Sequence, residues 1–409
     1  LAPPYTDKLL GSDMHNQTVQ SYLRKHASPL SQRYAQTIKQ SYQQALVIPL
    51  YDENPECLRN LTAHIDTSAT LIIAVVNAPQ GAPQDARQRT ENLLTTLADA
   101  TRSNVMIVDC VSQPLPAKAG VGLARKIGTD IALRLQSTGQ VASPWLYQSD
   151  ADAQLPANYF DERGHNLCDK QGAVVFGHRH YSTDASLTRA VRLYEKHMQY
   201  YVTGLAQAGS TYAYPSLGST IAIHSISYAA VRGYPQRNAA EDFYLLNKIA
   251  KVHGVVYLPR TVVSLAARLS DRVPFGTGPA LHKITAALKE SDNDASYLSY
   301  HPNSFLLLAE ALAYLAHFAD TTRSATHLDQ RVRTLLDAVG FDRIANTVKK
   351  HYQSKQRRQE ILMQWFDAGK TLRFIHEARR YYPDQPLVLS LQQNLLSRSK
   401  PHYGLTSPD

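Results

Sequence analysis

The chain has 409 residues, 44% of them apolar, with a net charge of +9 and a pI near 9.3. That length exceeds one ordinary core, so two domains or one large domain with appendages is expected. The 43 Lys and Arg residues are spread along the chain and form no tail, which argues against a nucleic-acid partner and leaves a phosphorylated substrate or peripheral contact with an anionic membrane.

Residues 1–44 read as an N-terminal helical extension, with Tyr22, Leu23, Tyr34, Ile38 and Tyr42 at loose helical spacing over Ser21–Gln44. The pattern then changes. Ala45–Leu50, Leu71–Val76 and Val105–Val108 are short apolar runs of the kind buried in parallel sheets, and Trp145–Gln148, Ala173–Phe176 and Val255–Leu258 resemble them. Pro55–Ser68, Ala86–Ala100 and Leu123–Leu135 have helical character between them. Alternating strands and helices predict an α/β domain over residues 45–275, with a mostly parallel sheet that places ligands at its carboxyl ends. Asn77, Asp109 and Asp150 fall there. From residue 276 onward the sequence is rich in helix formers, and 304–318, 326–338, 341–366 and 369–381 read as separate helices of a C-terminal helical domain. Such a region suits stability or homo-oligomerisation. Phe305–Phe318, the most apolar stretch, contains Glu310 and is too short to span a bilayer. Leu1-Ala2-Pro3-Pro4 leads into polar residues, so no secretory leader is expected. Cys57, Cys110 and Cys168 match neither a disulfide framework nor a zinc site, which fits buried thiols and a cytoplasmic location.

Ser149-Asp150-Ala151-Asp152 carries the most chemistry. If the preceding strand stays extended, both carboxylates point the same way, and their repulsion calls for a hard cation such as Mg²⁺ or Mn²⁺. Gly120 and Gly122 allow close backbone approach before Arg125, a candidate phosphate or nucleoside contact; a solvated helix face is the plainer alternative. Lys118 is a weaker candidate of the same kind. Pro49 should end the first strand, with Tyr51 and Glu53 on the loop beyond it placed to stack on and hydrogen-bond a nucleoside. Glu241-Asp242 opens a helix after a Gly/Pro loop, where a carboxylate also serves as a cap. Arg268 and Arg272, with nearby glycines, could clamp phosphates. His178 and His180, two apart after a strand, could ligate a metal or contact the acceptor, with surface or loop histidines the plainer reading, and His282 is a weaker candidate for a third metal ligand.

In order, Val47–Glu53, Ala119–Ala132, Asp150/Asp152, Gly218-Ser219-Thr220-Ile221 and Ala240-Glu241-Asp242 resemble the motif series of glycosyltransferase family 2, over about residues 45–260. The resemblance implies a GT-A fold and a soluble, non-processive, inverting transferase that uses a nucleotide-sugar donor. It implies Asp152 on the metal, Asp150 on the ribose or the metal, Gly218, Ser219 and Glu241 on the acceptor side, and Asp242 as general base. Asn77 stands where the family has a base-reading Asp, so the nucleobase stays open. The acceptor is a saccharide, a lipid or a small metabolite. The rivals are a retaining transferase of the mannosylglycerate synthase type, a nucleotidyltransferase, which lacks its glycine-rich loop here, and an inactive sugar-nucleotide binder.

Overall fold

The computed structural model describes residues 12–100, 103–117, 119–165, 167, 171–237, 239–270, 276–318 and 328–397. The chain divides into two compact units, Leu1–Thr183 with Tyr214–Gly276, and Asp184–Ala213 with Thr277–Asp409. The stretch 45–275 is therefore interrupted: residues 184–213 group with the C-terminal helices, and the N-terminal helices group with the sheet.

The first unit runs α1 (Ser12–Lys25), α2 (Pro29–Ala35), β1 (Gln44–Leu50), α3 (Cys57–Leu61), β2 (Thr70–Pro79), α4 (Gln84–Asp99), β3 (Val105–Leu115), α5 (Gly120–Ser137), β4 (Trp145–Gln148), β5 (Ala153–Gln154) and β6 (Ala173–Tyr181). After α6 (Thr188–Gln207), which belongs to the second unit, it resumes with β7 (Ile221–His224), α7 (Ser225–Ala230), α8 (Glu241–Ala250) and β8 (Val255–Ala266). One eight-stranded sheet has the order β3-β2-β1-β4-β7-β6-β8-β5. Strands β3, β2, β1 and β4 are parallel, as are β6 and β8, whereas β7 opposes both its neighbours and β5 opposes β8. This is the expected α/β fold with a mostly parallel sheet and helical regions, the sheet mixed at one side.

The apolar runs are strands because both their faces are covered. Leu46, Ile48, Ile72, Ala74 and Val76 join Trp145, Tyr147, Leu58, Leu61 and Leu93 in one core. On the opposite face α5 comes so close that a Cβ on Gly128 would stand 2.4 Å from a methyl of Val47. Only glycine fits there.

Four local expectations need correction. The helix expected over Pro55–Ser68 is only Cys57–Leu61; Asp66 then takes the Ser68 amide at 2.8 Å in a turn, which ends any further winding. The helix expected over Ser21–Gln44 is cut at Ser28-Pro29, where the Ser28 amide goes to the Asp130 carboxylate at 2.7 Å and Pro29 starts α2. Pro49 does not end β1, which runs on to Leu50. The Val47 carbonyl accepts from Ser149 on the β4 side, so the nitrogen of Pro49 faces that side too, beyond the last β4 pairing, where no N–H is required. The helix expected over 341–366 is two, because Ser354 caps a new start.

Buried Asp130 ties the N-terminal helices to α5. It accepts from Tyr22 at 2.6 Å, Tyr228 at 3.0 Å and Lys126 at 2.9 Å, besides the Ser28 amide.

The second unit comprises α6, α9 (Thr277–Ser291), β9 (Leu298–Ser299), α10 (Pro302–His317), α11 (Gln330–Ala338), α12 (Phe341–His351), α13 (Lys355–Trp365), α14 (Ala368–Glu377), β10 (Gln385–Pro386) and α15 (Leu387–Ser397). Among the described residues its only strands are the two-residue β9–β10 ladder. Phe305 of α10 fills the notch left by Gly204 on α6, and Phe341, Phe366 and Phe374 are buried. Cys57 and Cys110 are buried free thiols as expected; Cys168 lies outside the described residues. Among the described residues no helix is long and apolar enough to cross a membrane.

Candidate active site

The carboxyl ends of β1 and β4, the start of α8 and the end of β8 bring together most of the sequence-predicted residues. Strand β4 stops at Gln148, and Asp150 and Asp152 lie in the turn that follows, with the Ala153 amide bonded to the Asp150 carbonyl at 3.2 Å. The expected side-by-side placement on an extended strand is thus replaced by a turn. The two carboxylates have different neighbours.

Asp150 faces the guanidinium of Arg125, to which it is ion-paired. The same guanidinium gives its Nε to Glu241 at 3.0 Å. Its side chain is 3% exposed, so this cation is sealed between two acids that lie 25 and 116 positions further along the chain. Gly218 makes the space: a Cβ there would sit 2.7 Å from Arg125 Nη2. Gly122 performs the same service one turn earlier on α5, where a Cβ would meet the carbonyls of Arg237 and Pro235 and the Cβ of Glu241. Among the described residues, Arg125 Nη1 has no hydrogen-bond partner, and neither has the buried hydroxyl of Tyr234. Burial drives the Tyr234 phenol well above its usual range, opposed by Arg125 and aided by Glu241, Asp242 and Asp150, which places its ring beside this cluster.

Asp152 faces the other way. A single nitrogen of Arg268, Nη2, stands 2.9 Å from Glu53 and 3.4 Å from Asp152, so the two carboxylates confront each other across it. Arg268 is 45% exposed, a looser hold than that of Arg125. Burial, then the charge of Asp150, pushes the Asp152 carboxyl up to about 6 despite Arg268. Burial and Glu53 likewise push the neighbouring Cys57 thiol up to about 12. Negative charge is in excess here, and its donors are hard oxygens. The set fits a divalent cation.

Asp242 is the second residue of α8. Its carboxylate accepts the Phe243 amide at 2.7 Å, while the cap position belongs to Ala240, which uses no side chain. Burial, then the charge of Glu241, pushes Asp242 up to about 7. Ala240 at φ +60 and Asp52 at φ +55 hold left-handed conformations immediately before Glu241 and Glu53. Such strain persists where the surroundings impose it. Asp52 is further fixed by a two-pronged bond from Arg89, at 2.5 and 3.1 Å.

Other sequence candidates have structural partners. Pro49 is buried within β1, and Tyr51 packs against the core. Asn77 is buried and donates its amide hydrogens to the carbonyls of Leu50 at 3.0 Å and Val75 at 3.2 Å. Ser219 is buried, and its carbonyl accepts from Ser149 at 3.3 Å. His178 and His180 lie on β6 with their rings 5.4 Å apart, and His282 lies on α9 of the second unit. Lys118 and Arg272 fall outside the described residues. The two-acid bond of Arg125, the Glu53–Arg268 contact and the buried Tyr234 hydroxyl were not anticipated.

No protein-family model matches the chain, and no curated protein does. Among solved structures, the chain is similar to a mannosyltransferase from Pyrobaculum calidifontis in complex with GDP-Man and Mn²⁺, at 15% identity and a TM-score of 0.38, covering 94% of this chain and 96% of that one. It is also similar to GalNAc-T7 with UDP, GalNAc and Mn²⁺, at 11% identity and a TM-score of 0.36, covering 77% of this chain and 59% of that one.

Proposed function

We propose that the chain is a metal-dependent glycosyltransferase of the family 2 type, moving one sugar from a nucleotide-sugar donor to an acceptor hydroxyl with inversion. The observation that carries this reading is the confrontation of Asp152 and Glu53 across one exposed guanidinium nitrogen, beside Asp150 at the carboxyl end of the sheet. Asp152, with Asp150, would hold Mg²⁺ or Mn²⁺. Held by these residues, such an ion would supply neutralising charge for a departing diphosphate.

The chain's own residues divide the remaining work. Tyr51 and Glu53 border the nucleoside, with Pro49 and Asn77 supporting the strand ends beneath them. Arg125 holds Asp150 and Glu241 at fixed separation, so it positions both carboxylates and reaches the donor only through Asp150. Gly218 and Ser219 keep that space open on the acceptor side. Asp242 takes the acceptor's proton; its raised carboxyl is matched to neutral pH, and at the rim of α8 it stays partly accessible. Arg268 serves as the exchangeable countercharge of Asp152 until donor arrives.

Thermal-shift measurements with UDP, GDP, dTDP and CMP sugars, with and without Mn²⁺, test the reading. At least one donor should raise the melting temperature only when metal is present, and Asp152→Ala should remove that rise. A variant that responds like the parent, or no response to any donor, refutes it. Inversion is checked by the anomeric configuration of the product in proton NMR; retention would move Asp242 from base to acceptor positioning.

A further inference from the structure

Three side chains from neighbouring elements pin the short turn that follows β1. Asn77 of β2 donates to the Leu50 carbonyl at 3.0 Å. Thr90 of α4, fully buried, accepts the Asp52 amide at 3.0 Å and donates its own hydrogen to the Ala86 carbonyl at 2.8 Å, so its hydroxyl is held in one orientation. Arg89 of α4 grips the Asp52 carboxylate with both Nε and Nη2, at 2.5 and 3.1 Å, and is itself steadied by Asp85 at 3.0 Å. The residue so gripped has φ +55, a left-handed conformation that aspartate tolerates better than most residues but still adopts at a cost.

This clamp does little for stability. Arg89 is 54% exposed and Asp85 more so, and ion pairs in water contribute little. The strain at Asp52 subtracts from that little. What the clamp secures is the next residue, Glu53, which is largely buried and confronts Asp152 across the Arg268 guanidinium. Facing carboxylates repel, and once Arg268 leaves, a slack turn would let Glu53 swing out into water. The clamp does not pass through Arg268, so it persists when that cation goes. We infer that Arg89 and Asp52 are positioning residues for nucleotide binding: the fork between them holds a strained turn so that Glu53 stays beside Asp152, in place before the donor arrives. This rests on the proposed transferase reading, in which Glu53 borders the nucleoside.

The full chain and its variants are titrated by calorimetry with UDP, GDP, dTDP and CMP in the presence of Mn²⁺, and melted without nucleotide. The tightest of these nucleotides should bind Arg89→Gln about tenfold more weakly than the parent, with the melting temperature kept within about 2 °C. Asp52→Gly removes fork and strain together. It should keep the parent's melting temperature, because glycine adopts positive φ freely, and still lose about tenfold in affinity. Glu53→Gln should also weaken binding, and adding Arg89→Gln to it should cost less than about twofold more, since the arginine acts through the glutamate. If Arg89→Gln binds nucleotide as the parent does, or if its full loss persists beside Glu53→Gln, the inference is overturned and the transferase reading stands. A lowered melting temperature with affinity intact in Asp52→Gly would make the clamp purely structural and overturn it as well. If the parent binds none of the four nucleotides, the transferase reading falls and the inference falls with it.

Discussion

Two arginines each bridge a pair of acids at the mouth of the same sheet, and they do so in opposite ways. Arg125 is sealed, 3% exposed, between Asp150 and Glu241, in a space that Gly218 leaves open. Arg268 is 45% exposed and touches Glu53 and Asp152 through one nitrogen. A buried cation between two acids is expensive to remove, because its partners are left without compensation; an exposed one exchanges easily with water, salt or another cation. The first bridge is therefore architecture and the second a placeholder. Geometry separates these two roles where charge alone would not.

The sharpest way to break the comparison is to delete each guanidinium. Arg125→Met leaves Glu241 buried without its partner and should cost about 3–5 kcal/mol of stability, read by urea unfolding; a loss under about 1 kcal/mol would put Arg125 in the same class as a surface pair. Gly218→Ala should act through the same bridge, its new methyl pressing on Arg125 Nη2, at about 1–3 kcal/mol. The effect should shrink in the Arg125→Met background, where the clash is relieved. A full effect there would mean the glycine serves something else.

The acid beside the sealed bridge gives the pH dependence. Asp242 is pushed up to about 7, chiefly by burial and then by Glu241, so it is protonated and unable to accept a proton below that value. The rate of sugar transfer should rise about tenfold per pH unit below 7 and level off above it. A flat profile between pH 5.5 and 7 would remove Asp242 from the base role. The smallest effect on stability belongs to Arg268→Ala, within about 1 kcal/mol because the pair is exposed. The same change should strengthen Mn²⁺ binding in the absence of donor, since one competing cation is gone; weaker binding in isothermal titration would show that Arg268 helps to build the site.

Much of the scaffold was legible because it depends on local patterning. Ala45–Leu50 and Leu71–Val76 are covered on both faces, so they are unbroken apolar runs and were read as buried strands. Helix α4 occupies Gln84–Asp99, close to the stretch Ala86–Ala100 whose length suited a crossover between two strands. What escaped depends on partners distant in sequence. Arg125 meets acids 25 and 116 positions away, and nothing around it in sequence distinguishes a buried bridge from a solvated helix face. The grouping of α6 with the C-terminal helices is equally invisible, since an amphipathic helix does not state which surface it will cover. The turn at Asp150–Asp152 was misjudged for another reason: β4 is only four residues long, and extension was assumed to continue past its end.

The most direct measurement is anomalous diffraction from crystals grown with Mn²⁺ and a nucleoside diphosphate. A peak at ligand distance from Asp152, with the Arg268 guanidinium moved off that carboxylate and Arg125 still joined to Asp150 and Glu241, is the predicted result. A manganese peak elsewhere, or none with nucleotide visibly bound and Arg268 still on Asp152, would contradict the account.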